Sequence, residues 1–363
     1  MRVRQERVQA QPADVAHPPA LPHPDGWFCV GVSAEWTPGK VLAKPFMDGD
    51  IVIYRTRKGH LRAVEPYCPH LGAHLGVGGT VEGEVLVCPF HKFGFAPDGS
   101  CTRTPYGKPP RIRLEHLAVR ETVGIVWVWH HHAGAAPTWE LPDDLPCSAR
   151  PVAWAIDVAG HPQQGAENAI DYQHIPALHG VGVEVLSAPR ADGPFYTVEY
   201  RFKRPMPPLG TVNQDGRIKY YGLGGFHVQL ILAGGRIVAD TWFLATPIGP
   251  WRMRYWVMTS TRLSLPRILR GRARRGTVAV LSSFLNHVMN HFAVRDVRRD
   301  MTIYQHQKHI TPPKLNDEDG AIGPFRIWAR QFLPDKSVTG DHESRNGTSR
   351  APGRPQGASR PVL

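Results

Sequence analysis

Two cysteines and three histidines lie within YCPHLGAHLGVGGTVEGEVLVCPFHKF, residues 67–93. Four of them form two short knuckles, Cys68-x-His70 and Cys88-x-x-His91, separated by seventeen residues. Each knuckle offers one thiolate and one imidazole. A zinc ion accepts two cysteines and two histidines, but its usual spacing puts both cysteines in one knuckle and both histidines in the other. A [2Fe-2S] cluster of the Rieske type needs two thiolates on one iron and two imidazoles on the other, so mixed knuckles let each loop grip both irons. The spacing therefore favours the iron–sulfur cluster over zinc. Gly72, Gly76, Gly78 and Gly79 would let the backbone approach the sulfides closely. His74 is surplus to this set and is expected at the surface or behind a ligand.

Such a cluster moves single electrons, which must go somewhere. The stretch GAENAIDYQHIPALHG, residues 165–180, gathers Glu167, Asn168, Asp171, His174 and His179. Asp171 and His174 are three apart and would share one helix face. His174 and His179 are five apart, roughly 140° around an ideal helix, so both reach one ion only if the helix ends between them, where Pro176 stands. Two imidazoles and one carboxylate with open positions make the facial triad of non-heme Fe(II) oxygen chemistry. The carboxylate must come from elsewhere in the chain, and Asp296 and Asp300 are its candidates. His287 and His291 lack a third group in register and read as ordinary helix residues; His130, His131 and His132 read as a solvated strand end.

These residues need elements to hold them. The 363 residues suffice for two modest cores. Residues 1–24 and 336–363, rich in proline, charge and small residues, are expected to be disordered tails. From Trp27 to His130 short β-prone runs alternate with turn signals, which predicts a small all-β domain, residues 25–148. A proline-punctuated strap follows, then a second domain, residues 149–335, of strands and helices, giving an α+β chain. Its clearest helix runs over residues 276–307, where Leu281, Phe284, Leu285, Val288 and Phe292 keep a helical stripe of the kind that faces a core. Five scattered cysteines make no disulfide framework. No signal peptide or transmembrane run is visible, so a cytoplasmic protein is expected. The net charge of +12 is concentrated in RLSLPRILRGRARR, residues 262–275, in the RDVRR run and in the C-terminal tail. Without a nucleic-acid-binding motif it reads as solvated faces or as docking for an acidic electron-transfer partner, and nucleic acid is not expected. No flavin or nicotinamide motif is present either, so electrons from NAD(P)H would come through a separate flavin reductase or ferredoxin.

CPHLGAHLGVGG followed by CPFH and DGSCTRTPYG resembles the Rieske non-heme iron oxygenases, especially the branch of ketosteroid hydroxylases and cholesterol desaturases. The resemblance spans roughly residues 25–334 and implies a Rieske domain followed by a catalytic domain with a central antiparallel sheet flanked by helices, of helix-grip or START-like type. One departure is visible: the family commonly has Gly-Trp after the second ligand histidine, where this chain has Lys92-Phe93. By the resemblance Cys68, His70, Cys88 and His91 hold the cluster. RDMTIYQHQKH resembles the third-ligand segment, so His174, His179 and Asp300 hold the mononuclear iron. Asp171 matches the aspartate that bridges the iron histidine of one subunit, here His174, to the cluster histidine of the next, here His91, within a head-to-tail homotrimer. Asn168 is a supporting candidate. The implied activity is O2-dependent oxidation of C–H bonds, by hydroxylation, of a large apolar, polycyclic steroid- or terpenoid-like substrate. Desaturation or oxidative cyclisation of a secondary metabolite, and electron transfer without catalysis, are the alternatives.

Overall fold

The computed structural model describes residues 4–7, 21–146, 151–205, 210–264, 271–319 and 321–334. Between Gly26 and His130 turn residues interrupt the apolar runs every few positions, so the strands are short and form three small sheets. The run GWFCVGV, Gly26–Val32, is buried along its whole length and pairs with Ile125–His130, which pairs in turn with Val119–Thr122. A second sheet orders His116–Leu117, Leu61–Val64, Gly49–Arg55 and Val41–Phe46. The third, of Thr80–Glu82, Val85–Val87, Gly94–Phe95 and Cys101–Arg103, supports the two cysteine loops.

The second region is built on one eight-stranded sheet. Its order is Arg4–Arg7, Val152–Ala159, Arg252–Leu263, Ile237–Gly249, Gly225–Leu232, Thr211–Tyr221, Phe195–Pro205 and Gly182–Asp192. All neighbours are antiparallel except the first pair. Three helices flank it: α1 (Pro162–Ile170), α2 (Gly271–Tyr304) and α3 (Ile322–Ala329). Helix α3 seats Phe325 and Trp328 on Tyr196 and Tyr220, with ring centroids 5.2–6.1 Å apart. Among the described residues, then, an all-β region precedes a large antiparallel sheet with helices, as expected.

Two expectations are corrected. The N-terminal tail, expected to be disordered through residue 24, contains the strand Arg4–Arg7, paired in parallel with Val152–Ala159 from Arg4↔Trp154 to Arg7↔Asp157. An edge strand's free N–H and C=O groups will pair with a polar segment as readily as an apolar one, so composition misleads there. Residues 21–24 are also described, with Pro24 buried; residues 1–3 and 8–20 lie outside the described residues, as does the C-terminal tail expected from 336.

The stripe on α2 is the second correction. Phe284 is 64% exposed and Phe292 41%, while Asn286 and Asn290 are 3% and 6% exposed on the face toward the sheet. Asn290 Nδ2 donates to the Val257 carbonyl (3.2 Å) and Thr259 Oγ1 (3.3 Å), and Thr261 Oγ1 donates to Asn286 Oδ1 (2.6 Å). Buried carbonyls and hydroxyls need partners that amides supply and leucines do not, so polar side chains take the inner face.

The two regions share a core. Trp27, Trp127 and Trp129 from the first interlock with Trp242, Trp256 and Met258 from the second, and Leu141 and Leu145 of the proline-punctuated strap fill in between. Strap carbonyls also accept from two of these rings, Trp139 O from Trp27 Nε1 (3.0 Å) and Pro146 O from Trp242 Nε1 (3.1 Å). Residues up to Leu333 cluster as one unit; of the remainder only Pro334 is described.

Candidate metal centres

The cysteine loops are tight turns closed on themselves. Cys68 N donates to Ala73 O, Gly72 N to Cys68 O and Cys88 N to Phe93 O, each at 2.9 Å. A Cβ at Gly79 would stand 2.0 Å from the Leu75 carbonyl, so that glycine is required by approach to the loop itself. Cys68 and Cys88 are buried, and burial followed by the adjacent Cys88 sulfur pushes the Cys68 thiol up to about 11. Thiols held this way become stable thiolates when a metal shares their charge. The His70 and His91 rings face each other with centroids 4.9 Å apart.

Geometry separates one metal from two. Ligand atoms on one zinc lie within about 4.6 Å of one another, twice the Zn–S distance. Among the described residues two sets converge within 4.8 Å, Asp25/His131/His132 and His174/His179/Asp300, and the cysteine set is not one of them. Its wider spread suits a two-iron cluster, so the donor set fits that group. Lys92 takes a left-handed backbone conformation, φ 57°, where glycine is usual. Phe93 stacks on His70 at 4.3 Å and 18°, a contact that its place in the sequence did not disclose. His74 accepts from Gly76 N at 3.1 Å and packs edge-on against Tyr67, holding the loop rather than extending the ligand set.

The second centre is placed differently from the expectation. Helix α1 ends at Ile170, so Asp171 and His174 do not share a helix face. Asp171 is instead the C-cap residue, and its Oδ1 accepts from Gln173 N (3.1 Å) and His174 N (3.3 Å). The chain re-enters at His174 into a single π-turn, Ile175–His179, with Pro176 near its start rather than ending a helix. A turn widened toward five residues brings positions five apart nearly onto one face, which aligns His174 with His179.

Asp300 arrives from α2, with Asp300 Oδ1 3.0 Å from His179 Nε2. That contact is close but poorly aligned, because the same oxygen finds no hydrogen-bond donor although it is buried. His174 Nδ1 donates to the Asp171 carbonyl, which fixes the tautomer and leaves Nε2 with its lone pair. Asn168 Nδ2 now donates to that Nε2 at 3.2 Å and would yield to an ion there. An orphaned buried carboxylate oxygen beside two imidazoles is what a bound cation would satisfy, so these residues fit a mononuclear iron.

The other candidates are occupied elsewhere. Asp296 takes a 3.2 Å contact from Arg204. His287 and His291 are exposed on α2, with His287 Nδ1 donating to Ser283 O. Glu167 makes a two-pronged ion pair with Arg326 at 2.8 and 2.7 Å, a partnership across 159 positions that local sequence cannot signal. The three consecutive histidines are more than a solvated strand end. His132 Nδ1 lies 2.8 Å from Asp25 Oδ2 and His131 Nε2 lies 3.6 Å from it. His131 Nδ1 accepts from Ala133 N, which puts the ring proton on Nε2, so the group reads as a hydrogen-bonded clasp rather than a metal site.

Above His174, His179 and Asp300 opens a cavity of about 520 Å³, walled by Phe202, Ile218, Phe226, Val228, Leu230 and Phe243. Phe292 stands at its rim, both lining it and partly exposed. On another side, Asp171 and Asn168 border a polar recess of about 150 Å³ with Glu167, Lys308 and Arg326.

Comparison with known proteins agrees with this layout. The Rieske [2Fe-2S] domain family matches residues 26–121, and the 3-ketosteroid 9alpha-hydroxylase C-terminal domain family matches residues 128–333. The cholesterol 7-desaturase nvd of Bombyx mori is 29% identical over 339 residues, covering 88% of this chain and 71% of the relative. A 3-ketosteroid-9-alpha-monooxygenase oxygenase component of Rhodococcus rhodochrous is 24% identical, covering 95% of this chain and 93% of the relative. Among solved structures, dicamba monooxygenase bound to dicamba superposes with a TM-score of 0.61 at 18% identity, over 85% of this chain and 96% of that one, a likeness of fold.

Proposed function

Because the chain belongs to the Rieske oxygenases that carry the 3-ketosteroid 9alpha-hydroxylase C-terminal domain, we propose that it is a terminal oxygenase that hydroxylates a steroid-like substrate. It is an oxidoreductase with a Rieske cluster, a mononuclear iron, O2 as co-substrate and an external reductase or ferredoxin as electron donor. The observation that carries the reading is the convergence of His174, His179 and Asp300 within 4.8 Å at the floor of an apolar cavity. When bound, the iron supplies oxygen activation beside a C–H bond.

The residues have distinct tasks. Cys68, Cys88, His70 and His91 hold the cluster, and Phe93 keeps the His70 ring in place. His174, His179 and Asp300 hold the iron. The Asp171 carbonyl keeps the proton on His174 Nδ1, and Asn168 waits beside Nε2 as a supporting residue. Aromatic and aliphatic walls orient the substrate and exclude water. By this division residues 25–148 form the cluster domain and 149–335 the catalytic domain.

Asp171 is the electron bridge between subunits in this proposal, joining its own His174 to the His91 of a neighbouring copy in a homotrimer. Support comes from the polar recess that Asp171 borders and from the exposed apolar rim of the cluster loops at Leu71, Phe90 and Tyr106. Among the described residues no helix is long and apolar enough to cross a membrane; a cytoplasmic location is proposed with the rest.

Similarity to cholesterol 7-desaturases favours a second reading, in which the same site removes two hydrogens. Product mass separates the readings, one oxygen gained against two hydrogens lost. The deciding experiment quantifies iron and acid-labile sulfide after anaerobic purification, in the native chain and in Asp300→Ala. About three irons and two sulfides are expected natively, and about two irons with both sulfides in the variant, with turnover abolished. A native chain that stays at two irons when Fe(II) is offered would leave only an electron carrier.

A further inference from the structure

Helix α2 is inverted over its N-terminal half. Asn286 and Asn290 face the sheet, whereas Val280, Phe284, Val288 and Phe292, spaced four apart, run along the other side, with Val280 and Phe284 the most exposed. A helix packed on a sheet normally does the reverse, and a contiguous apolar stripe left outward marks an interaction surface. Its far end is the cavity: Phe292 and Met289 line the space above the candidate iron ligands.

Charge indicates what covers the stripe. From Arg262 to Arg295 the sequence carries seven arginines and no acidic residue, and Arg272, Arg274 and Arg275 fall in the first turns of α2. A basic segment leading into an exposed apolar stripe is the pattern of helices that lie in a bilayer interface, apolar face among the acyl chains and arginines at anionic headgroups. Arg262 and Arg295 lie beside Asp240 (3.6 Å) and Asp296 (3.8 Å), and a protein partner with a neutral groove would match the stripe but offer the five arginines between them no counter-charge. A second copy meeting this face with the same face of its own would bring arginine against arginine.

We propose that the N-terminal half of α2 docks on an anionic phospholipid surface, with the stripe in the headgroup–acyl boundary and the rim of the cavity turned toward the lipid. An apolar substrate would then pass from bilayer to cavity along Val288 and Phe292 without crossing water. That last clause rests on the apolar-substrate reading above; the docking does not.

The test uses the full-length holoprotein and vesicles of phosphatidylcholine, with or without phosphatidylglycerol, in a sedimentation assay. Binding to the anionic vesicles is expected to exceed binding to neutral ones about ten-fold and to fall in about 0.5 M salt. The double variant Val280→Glu/Phe284→Glu touches neither the cavity lining nor a ligand. It is expected to lose vesicle binding while keeping the native cluster absorption. Equal binding to both vesicles, no binding, or anionic binding that survives the double variant would each overturn the proposal. A change in oligomer mass in the variant with vesicle binding intact would instead assign the stripe to a second copy. Because sedimentation needs no turnover, a wrong substrate class would leave this result standing.

Discussion

At the scale of single residues, Lys92 and Asp171 invite the sharpest changes. Lys92 sits at φ 57° directly after His91, a proposed cluster ligand, and a side chain there is strained. Lys92→Gly is expected to raise stability by about 0.5–1 kcal/mol, because relief of strain outweighs the added freedom of glycine in the unfolded chain. Loss of a solvent-exposed positive charge near the cluster should also lower its reduction potential by on the order of 20 mV. Chemical denaturation and a redox titration followed by electron paramagnetic resonance read the two effects separately. Asp171→Asn keeps an oxygen to accept from Gln173 N and His174 N, so the turn survives while the charge is lost. Turnover is expected to fall about 100-fold, equivalent to ~2.7 kcal/mol, with metal content unchanged. Loss of iron in that variant would make Asp171 a structural residue and not a bridge.

At the scale of elements, α1 carries its own pH sensitivity. His161 caps its start, accepting at Nδ1 from Gln163 N (3.2 Å) and donating from Nε2 to Pro22 O (3.1 Å). Both nitrogens are satisfied only in the neutral ring, and burial first of all pulls its pKa down from 6.5 to about 3. Below pH 6.5 the unfolded chain therefore takes up a proton that the folded chain refuses. The stabilisation is whole above pH 6.5 and is lost as pH falls toward the folded value, about 2 kcal/mol by pH 5. Denaturation midpoints between pH 7 and pH 5 should show that slope, and His161→Asn should flatten it. The same scale explains what the sequence disclosed and withheld. The two knuckles were legible because ligand spacing is local, and both histidines of the second centre lie in one short stretch. The π-turn was hidden, since Pro176 is as compatible with ending a helix as with opening a wider turn. Asn286 and Asn290 were hidden too, because only the carbonyls and hydroxyls beneath α2 make amides the better inner residues. Strand Arg4–Arg7 depends on a partner 150 positions away.

At the scale of the whole molecule, the shared tryptophan core makes stability a joint property of the two regions. Trp242 is buried, lies 5.9 Å from Trp127 and donates to the strap at Pro146. Trp242→Ala is expected to cost about 3–5 kcal/mol. Calorimetry should show one transition moved down as a unit; a split into two would mean that the halves are held together elsewhere. The strap has a consequence for recombination among relatives. A chimera that takes its cluster half from one parent and its iron half from another inherits Leu141 and Leu145 from one side and the tryptophans they fill between from both. Crossovers placed at the apparent seam after His130 would separate parts that were shaped together, so a productive breakpoint must carry the strap along with the Trp27, Trp127 and Trp129 face it completes.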